Sequence, residues 1–420
     1  MNLALKYEQY QLQNGLKVIL HQDTTTPIAG VNIWYHVGSW NEKPGKTGFA
    51  HLFEHMMFQG SQNVGSDMHF RLLQSIGGSV NGSTSFNRTN YYETVPSHHL
   101  EMALWLEADR MGFLLPAMTR EKLDNQRDVV KNERRQTVDN QPYGTWLEKM
   151  LETAYPDDYS YHWPIIGYMD DLDSASLDDI NHFFKTYYSP ANASLCVAGD
   201  FDSAQVKGWI EKYFGPIQGE QSIPPVRKKF SGYFSGEKKY DVLDNVQLPR
   251  VYMAYHVPAY GSREWYALDF LSDILSSGKS SRLHHALVYE QQVAQDAYSF
   301  VFGTEDTSLM IFMATAQQGT NFEKLHDALN AEINMILNGA LDDREMERIK
   351  NQIEAHKLRE LQSITHIADS FNNSLVHFND PGYINKELEI LTSITKDDIN
   401  KAAEKYLNNN NRIILNYLPK

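Results

Sequence analysis

The residues of this chain best suited to chemistry lie in one short run, His51-Leu52-Phe53-Glu54-His55. On a helix, positions i and i+4 share a face, so both imidazoles point the same way and can reach one ion. Glu54, beside His55, lies near that ion without ligating it, where a general base belongs. Zinc at a catalytic site takes three protein ligands and leaves one position for water, whose pKa it lowers to about 7. Glu54 would take that water's proton and pass it to a leaving amine. The motif alone is moderately specific. With 16 histidines in 420 residues, such a spacing arises by chance on the order of a few times in a hundred similar chains. A histidine pair on an amphipathic helix can also be purely structural.

The third ligand has to come from elsewhere. Cys196 is the only cysteine, so a metal must be held by His, Asp or Glu, and no internal disulfide forms. The helical stretch after Arg120 offers Glu133, but its periodicity makes Glu133 an ordinary surface carboxylate, no different from Glu121.

The elements that must position these groups follow from hydrophobic pattern. Gly15 to His21 and Val31 to Val37 read as strands, and Gly48 to Phe58 and Met68 to Ile76 as helices. Ser79 to Pro96 reads as an extended hairpin, His98 to Leu115 and Arg120 to Val138 as long helices, and Ala193 to Ala198 as a short buried strand. The pattern then repeats. Tyr35-His36-Val37 returns 220 residues later as Tyr255-His256-Val257, and Asp178-Asp179-Ile180-Asn181 returns 219 residues later as Asp397-Asp398-Ile399-Asn400. Tyr187 and Asn192 recur as Tyr406 and Asn411 at that same second offset. Shared order and spacing indicate a duplicated unit of roughly 220 residues. The expected division is residues 1–218, a Gly/Pro/Gln/Ser-rich linker at 219–230, and a homologous domain at 231–420. The expected class is α+β, a mixed, mainly antiparallel sheet packed with helices, made twice.

Composition narrows the partners. A formal net charge of −15 argues against nucleic acid, which demands a basic surface, and would suit basic peptides, although an acidic surface also serves solubility alone. No apolar run is long enough for a transmembrane helix. The start of the chain has no basic stretch followed by an apolar core, so a signal peptide is expected to be absent or already removed. A soluble protein is expected, with bacterial cytoplasm and periplasm both open.

Over nearly its whole length the chain resembles the pitrilysin family of zinc metallopeptidases, which includes insulin-degrading enzyme and the mitochondrial processing peptidase. The resemblance rests on the runs Gly48 to Ser61, Gly77 to Ser85 and Arg127 to Glu133, and then on Ile166-Gly167, Tyr188 to Ala193 and Ala198-Gly199-Asp200. It implies that one Zn2+ per chain is held by His51, His55 and Glu133, with Glu54 as base. It implies that peptide substrates add as a strand along Asn81, Gly82, Ser83 and Thr84. Many relatives carry a second glutamate where this chain has Gln126, so any help from that position is limited to hydrogen bonding. The second half has no counterpart of the metal motif, the corresponding helix around Ala267 to Ile274 containing no histidine. Complete enzymes of the family also use an arginine and a tyrosine seven residues apart. Those positions fall on Tyr289 and Asp296, with Tyr298 two residues further on. The resemblance therefore implies half of a clamshell, closed by a homologous metal-free subunit supplying the Arg/Tyr pair, or by a second copy in a homodimer. The expected activity is endoproteolysis of peptides or small unfolded proteins in an enclosed chamber. The alternatives are an inactive scaffold or core subunit, and a peptidase that trims presequences.

Overall fold

A computed structural model of the chain describes residues 4–219, 223–224, 230 and 236–420. Most of the expected linker at 219–230 lies outside these residues. Eleven strands of the described chain form two sheets. The first contains β1 (Glu8–Gln11), β2 (Lys17–Gln22), β3 (Ile28–Tyr35), β4 (Ser79–Thr84), β5 (Thr89–Pro96) and β6 (Ala193–Gly199) in the order β1-β2-β6-β3-β5-β4. The second contains β7 (Gly236–Asp244), β8 (Arg250–Pro258), β9 (Ala294–Phe302), β10 (Thr307–Ala316) and β11 (Asn411–Pro419) in the order β7-β11-β8-β10-β9. Apart from β1 the two orders superimpose strand for strand. Each sheet has a single parallel pair, β2 with β6 and β7 with β11, and is otherwise antiparallel. The duplicated α+β architecture read from the sequence is the observed one.

The repeated residues are a pair of equivalent locks. Asn192 donates its side-chain amide to the carbonyls of His36 (3.2 Å) and Tyr187 (2.9 Å), and Asn411 donates to those of His256 (2.8 Å) and Tyr406 (2.9 Å). Each amide satisfies a carbonyl left open at a helix C-terminus and one at the end of a central strand, just past β3 for His36 and within the last residues of β8 for His256. The repeated Asp-Asp-Ile-Asn runs open helices Leu177–Tyr187 and Lys396–Tyr406 through matching capping boxes. Ser176 pairs reciprocally with Asp179, and Thr395 with Asp398.

Compact units do not follow chain order. One comprises residues 1–135, 163–227 and 358–386, and the other comprises 136–162, 228–357 and 387–420. The sequence repeat thus marks a duplication, whereas each compact unit takes a segment from both halves. In the first unit, one sheet face carries α1 (Phe49–Met56), α2 (Met68–Ser75) and α3 (Leu100–Phe113). The core there includes Ile33, Tyr35, Leu52, Phe53, Leu104 and Leu195. The opposite face is covered by helix Ile364–Phe378, whose Ile364, Ile367, Ala368, Phe371 and Leu375 pack on Ile19, Cys196 and Ala198. Gly30 permits this approach, since a Cβ there would lie 2.7 Å from Ile364 Cγ2. Cover on both faces leaves every residue of β6 buried and, Ser194 apart, apolar.

Candidate metal centre and catalytic site

Helix α1 is eight residues long and buries Phe49, Ala50, Leu52, Phe53 and Met56. The Phe53 ring lies 4.4 Å from that of Tyr188. What remains is a partly buried stripe of His51, Glu54 and His55. The start of α1 is fixed by contacts remote in sequence. Gly48 (φ +80°) and Gly167 (φ +76°) meet backbone to backbone, and a Cβ on Gly167 would lie 2.4 Å from Gly48 Cα. The buried Glu42 carboxylate accepts from the N–H groups of Gly48 (3.0 Å) and Ala50 (2.7 Å), placing an acid where the helix has unpaired donors and a positive end. Burial nonetheless pushes the Glu42 carboxyl well above the usual range.

Glu133 reaches the same place on α4 (Arg120–Arg134), which Thr119 caps by accepting from the Lys122 N–H. Arg127 donates to the carbonyls of Leu172 (2.9 Å) and Ala175 (2.6 Å), and Arg134 donates to that of Gly167 (2.9 Å). One glycine therefore touches both the start of α1 and the end of α4. The helix expected to continue to Val138 widens into a π-turn at Arg135–Asp139. Gln126, two turns before Glu133, is buried.

The structure brings His51, His55 and Glu133 together. His55 Nε2 is 3.3 Å and His51 Nε2 3.8 Å from Glu133 Oε2, and one ligand atom from each lies within 4.8 Å of the others. The two imidazole rings are 4.9 Å apart, edge to face. Two nitrogens and a carboxylate oxygen form a donor set suited to zinc. Burial and the neighbouring His55 depress the His51 pKa to about 4, so its imidazole is neutral and its lone pair available at pH 7. A hydrogen bond from His55 holds the Glu133 carboxyl below the usual range, hence ionised.

Glu54 stands beside this cluster, its carboxyl raised first by burial and opposed by a hydrogen bond from Thr84. Thr84 Oγ1 donates to Glu54 Oε2 at 2.6 Å. Thr84 lies on β4, the edge strand of the first sheet. Strand alternation separates the four β4 candidates. Gly82 and Thr84 face α1, and a Cβ on Gly82 would stand 3.1 Å from Glu54 Oε1. Asn81 and Ser83 belong to the opposite face, where Ser83 Oγ donates to Asn90 Oδ1 at 2.7 Å.

Glu42 and the Thr84–Glu54 bond carry no signal in the sequence, and Gly167 enters only as part of a family match, Ile166-Gly167. A second gathering, His69, Glu93 and Glu107, is fully buried. Arg110 already pairs with Glu107 (Nε–Oε2 2.9 Å), so this group is a core charge network. In the second unit, Tyr289 is 72% exposed within the π-helix His284–Glu290, and Asp296 accepts from Thr315 Oγ1 at 2.7 Å.

Residues 17–166 match the family described as Insulinase (Peptidase family M16), and residues 174–353 match the Peptidase M16 inactive domain. The chain is 31% identical to zinc protease PqqE of Helicobacter pylori over 404 residues, covering 96% of this chain and 90% of that protein. A crystal structure of a protease from Helicobacter pylori superposes with a TM-score of 0.93 at 30% identity, covering 99% of this chain and all of that one. A putative M16-like peptidase from Alicyclobacillus acidocaldarius has the same fold, with a TM-score of 0.85 at 18% identity over the full length of both chains.

Proposed function

The chain belongs to peptidase family M16, and from that premise we propose that it is a zinc-dependent endopeptidase acting on peptides or small unfolded proteins. The observation that carries this reading is the convergence of His51, His55 and Glu133 beside Glu54. In it, His51, His55 and Glu133 hold one Zn2+. When bound, that ion supplies Lewis acidity toward a carbonyl and toward water.

The chain's own groups do the rest. Glu54 takes a proton from the attacking water and returns it to the departing amine. Thr84 holds one Glu54 oxygen, leaving Oε1 for that proton. The open edge of β4 pairs with the peptide backbone, and Gly82 lets that backbone lie close to Glu54. Backbone pairing makes sequence preference broad. Gln126, buried on the same helix as Glu133, is read as a hydrogen-bonding support.

A homologous metal-free subunit, or a second copy, is expected to complete the chamber, because Tyr289 and Asp296 occupy the Arg/Tyr positions. Among the described residues no helix is long and apolar enough to cross a membrane.

Substituting Glu54→Gln tests the mechanism. Hydrolysis of a quenched fluorescent peptide should fall by about 10²–10⁴-fold, while elemental analysis still finds one zinc per chain. Wild-type protein purified without zinc would instead favour the scaffold reading.

A further inference from the structure

The face of β4 that points away from α1 is also built for contact. Beneath it lies a cavity of about 310 Å³, lined by Ser83, Arg88, Asn90, Tyr92, Thr365 and Asp369 among others. Its walls come from the first sheet and from the start of helix Ile364–Phe378, all within the first compact unit. The charged groups are fixed in place. Asp369 Oδ1 accepts from Asn32 Nδ2 (3.0 Å), Trp34 Nε1 (2.9 Å) and Asn90 Nδ2 (3.1 Å). The Arg88 guanidinium stacks over the Trp34 ring at 5.2 Å and donates to the Ser83 carbonyl (2.9 Å) and Asn90 Oδ1 (3.0 Å). Near the start of that helix His366 pairs with Glu360 at 3.4 Å.

Two facts join this cavity to catalysis. Ser83 and Thr84 are neighbours on one edge strand, one bounding the cavity and the other bound to Glu54. A peptide paired with β4 continues the sheet's alternation, so its side chains fall in turn on the Glu54 face and on the cavity face. We propose that this cavity is a substrate side-chain subsite that selects neutral hydrogen-bonding residues, such as Gln, Asn, Ser or Thr. The selection acts at positions of one parity about the cleaved bond. The inference rests on the peptide-cleaving reading above and adds to it a substrate preference.

The chemistry of the lining sets the preference. One fixed guanidinium and one fixed carboxylate balance each other, so an entering acid or base leaves one of them opposed by a like charge. An apolar side chain displaces water from both without replacing its hydrogen bonds. A neutral amide or hydroxyl meets a donor in Arg88 and an acceptor in Asp369. Sites that hydrogen-bond a substrate group discriminate strongly against analogues lacking it.

The test uses the full chain and a peptide series in which each position around the cleaved bond is in turn Gln, Leu, Glu or Lys. Gln should exceed Leu in kcat/KM by about tenfold, a modest value for an open, hydrated subsite. The preference should appear at every second position and fade away from the bond. Asp369→Asn should move it toward Glu, and Arg88→Gln should move it toward Lys. Thr365→Val, a milder change for a protein that tolerates neither, should narrow the Gln-over-Leu ratio two- to threefold. Preference without parity, or parity unmoved by these substitutions, overturns the subsite. Binding of the same peptides by fluorescence anisotropy separates the two readings. Parity in binding without cleavage sustains the subsite and removes the peptidase, and cleavage without parity does the reverse. Absence of both removes both.

Discussion

Helix α1 and helix Arg263–Ser276 occupy equivalent places in the two sheets, yet only the first presents a pair of histidines beside a glutamate. At the repeat offset of 220 residues, His51, Glu54 and His55 correspond to Leu271, Ile274 and Leu275, each completely buried. The first helix has eight residues and keeps one stripe free of the core. The second has fourteen and also buries Trp265, Tyr266, Leu268 and Phe270. The edge strands differ in the same sense. Strand β4 offers Gly82 and small hydroxyls, whereas the equivalent β9 carries Tyr298 and Phe300. One scaffold thus supports a site where a helix face stays outside the core beside an unencumbered edge. It becomes a packing unit where that face is filled.

Making the first helix resemble the second should have the largest effect. His55→Leu removes a proposed ligand, so bound zinc should fall to near zero in elemental analysis and peptide hydrolysis to background. Full zinc occupancy in that variant would show that the three-residue set is wrong. The reverse change, Leu275→His, puts a polar ring into a closed core. It should cost about 2–4 kcal/mol in urea denaturation and recruit no zinc. The paired locks come next. Asn411 is buried and Asn192 less so, so Asn411→Ala should cost about 2 kcal/mol and Asn192→Ala measurably less. Equal costs would mean that exposure does not distinguish the two.

Gly82→Ala should leave zinc content unchanged but lower kcat/KM by about tenfold, because the new methyl crowds Glu54. The smallest effect is a pH dependence. The folded pKa of Glu54 lies above its unfolded value because burial disfavours the ionised form. Stability therefore falls as pH rises from the unfolded pKa through the folded one. Glu54→Gln removes that loss. The metal-free variant should melt above metal-free wild type near neutral pH, and the gap should shrink as the solution is acidified. A constant gap would assign it to packing instead.

Local pattern carried the elements and half of the site. The spacing His51–Glu54–His55 put three groups on one helical stripe, and α1 presents that stripe. The repeated Tyr, His and Asn residues were legible as a duplication, although their shared hydrogen-bonding role was not. Glu133 was indistinguishable from Glu121 by periodicity and gained weight only through family resemblance. The reason is physical. What sets Glu133 apart is how Arg127 and Arg134 anchor α4 to carbonyls 33 to 48 residues away. Likewise, Glu42 supports α1 from outside the helix, through a turn that no helical or strand period describes.

The sequence by itself determined where the stripe of His51, Glu54 and His55 lies, that the unit is duplicated, and that the second copy has no such stripe. These follow from residue type and short-range periodicity, which depend on neighbours within a turn or two. Only the tertiary structure decided that Glu133 meets the two histidines, that Thr84 binds Glu54, and that the helix within residues 358–386 covers a face of the first unit's sheet from the far end of the chain. Those arrangements depend on two sheet faces each needing apolar cover and on buried carbonyls each needing a donor. Such demands are met by whichever segment packs there, however distant in sequence.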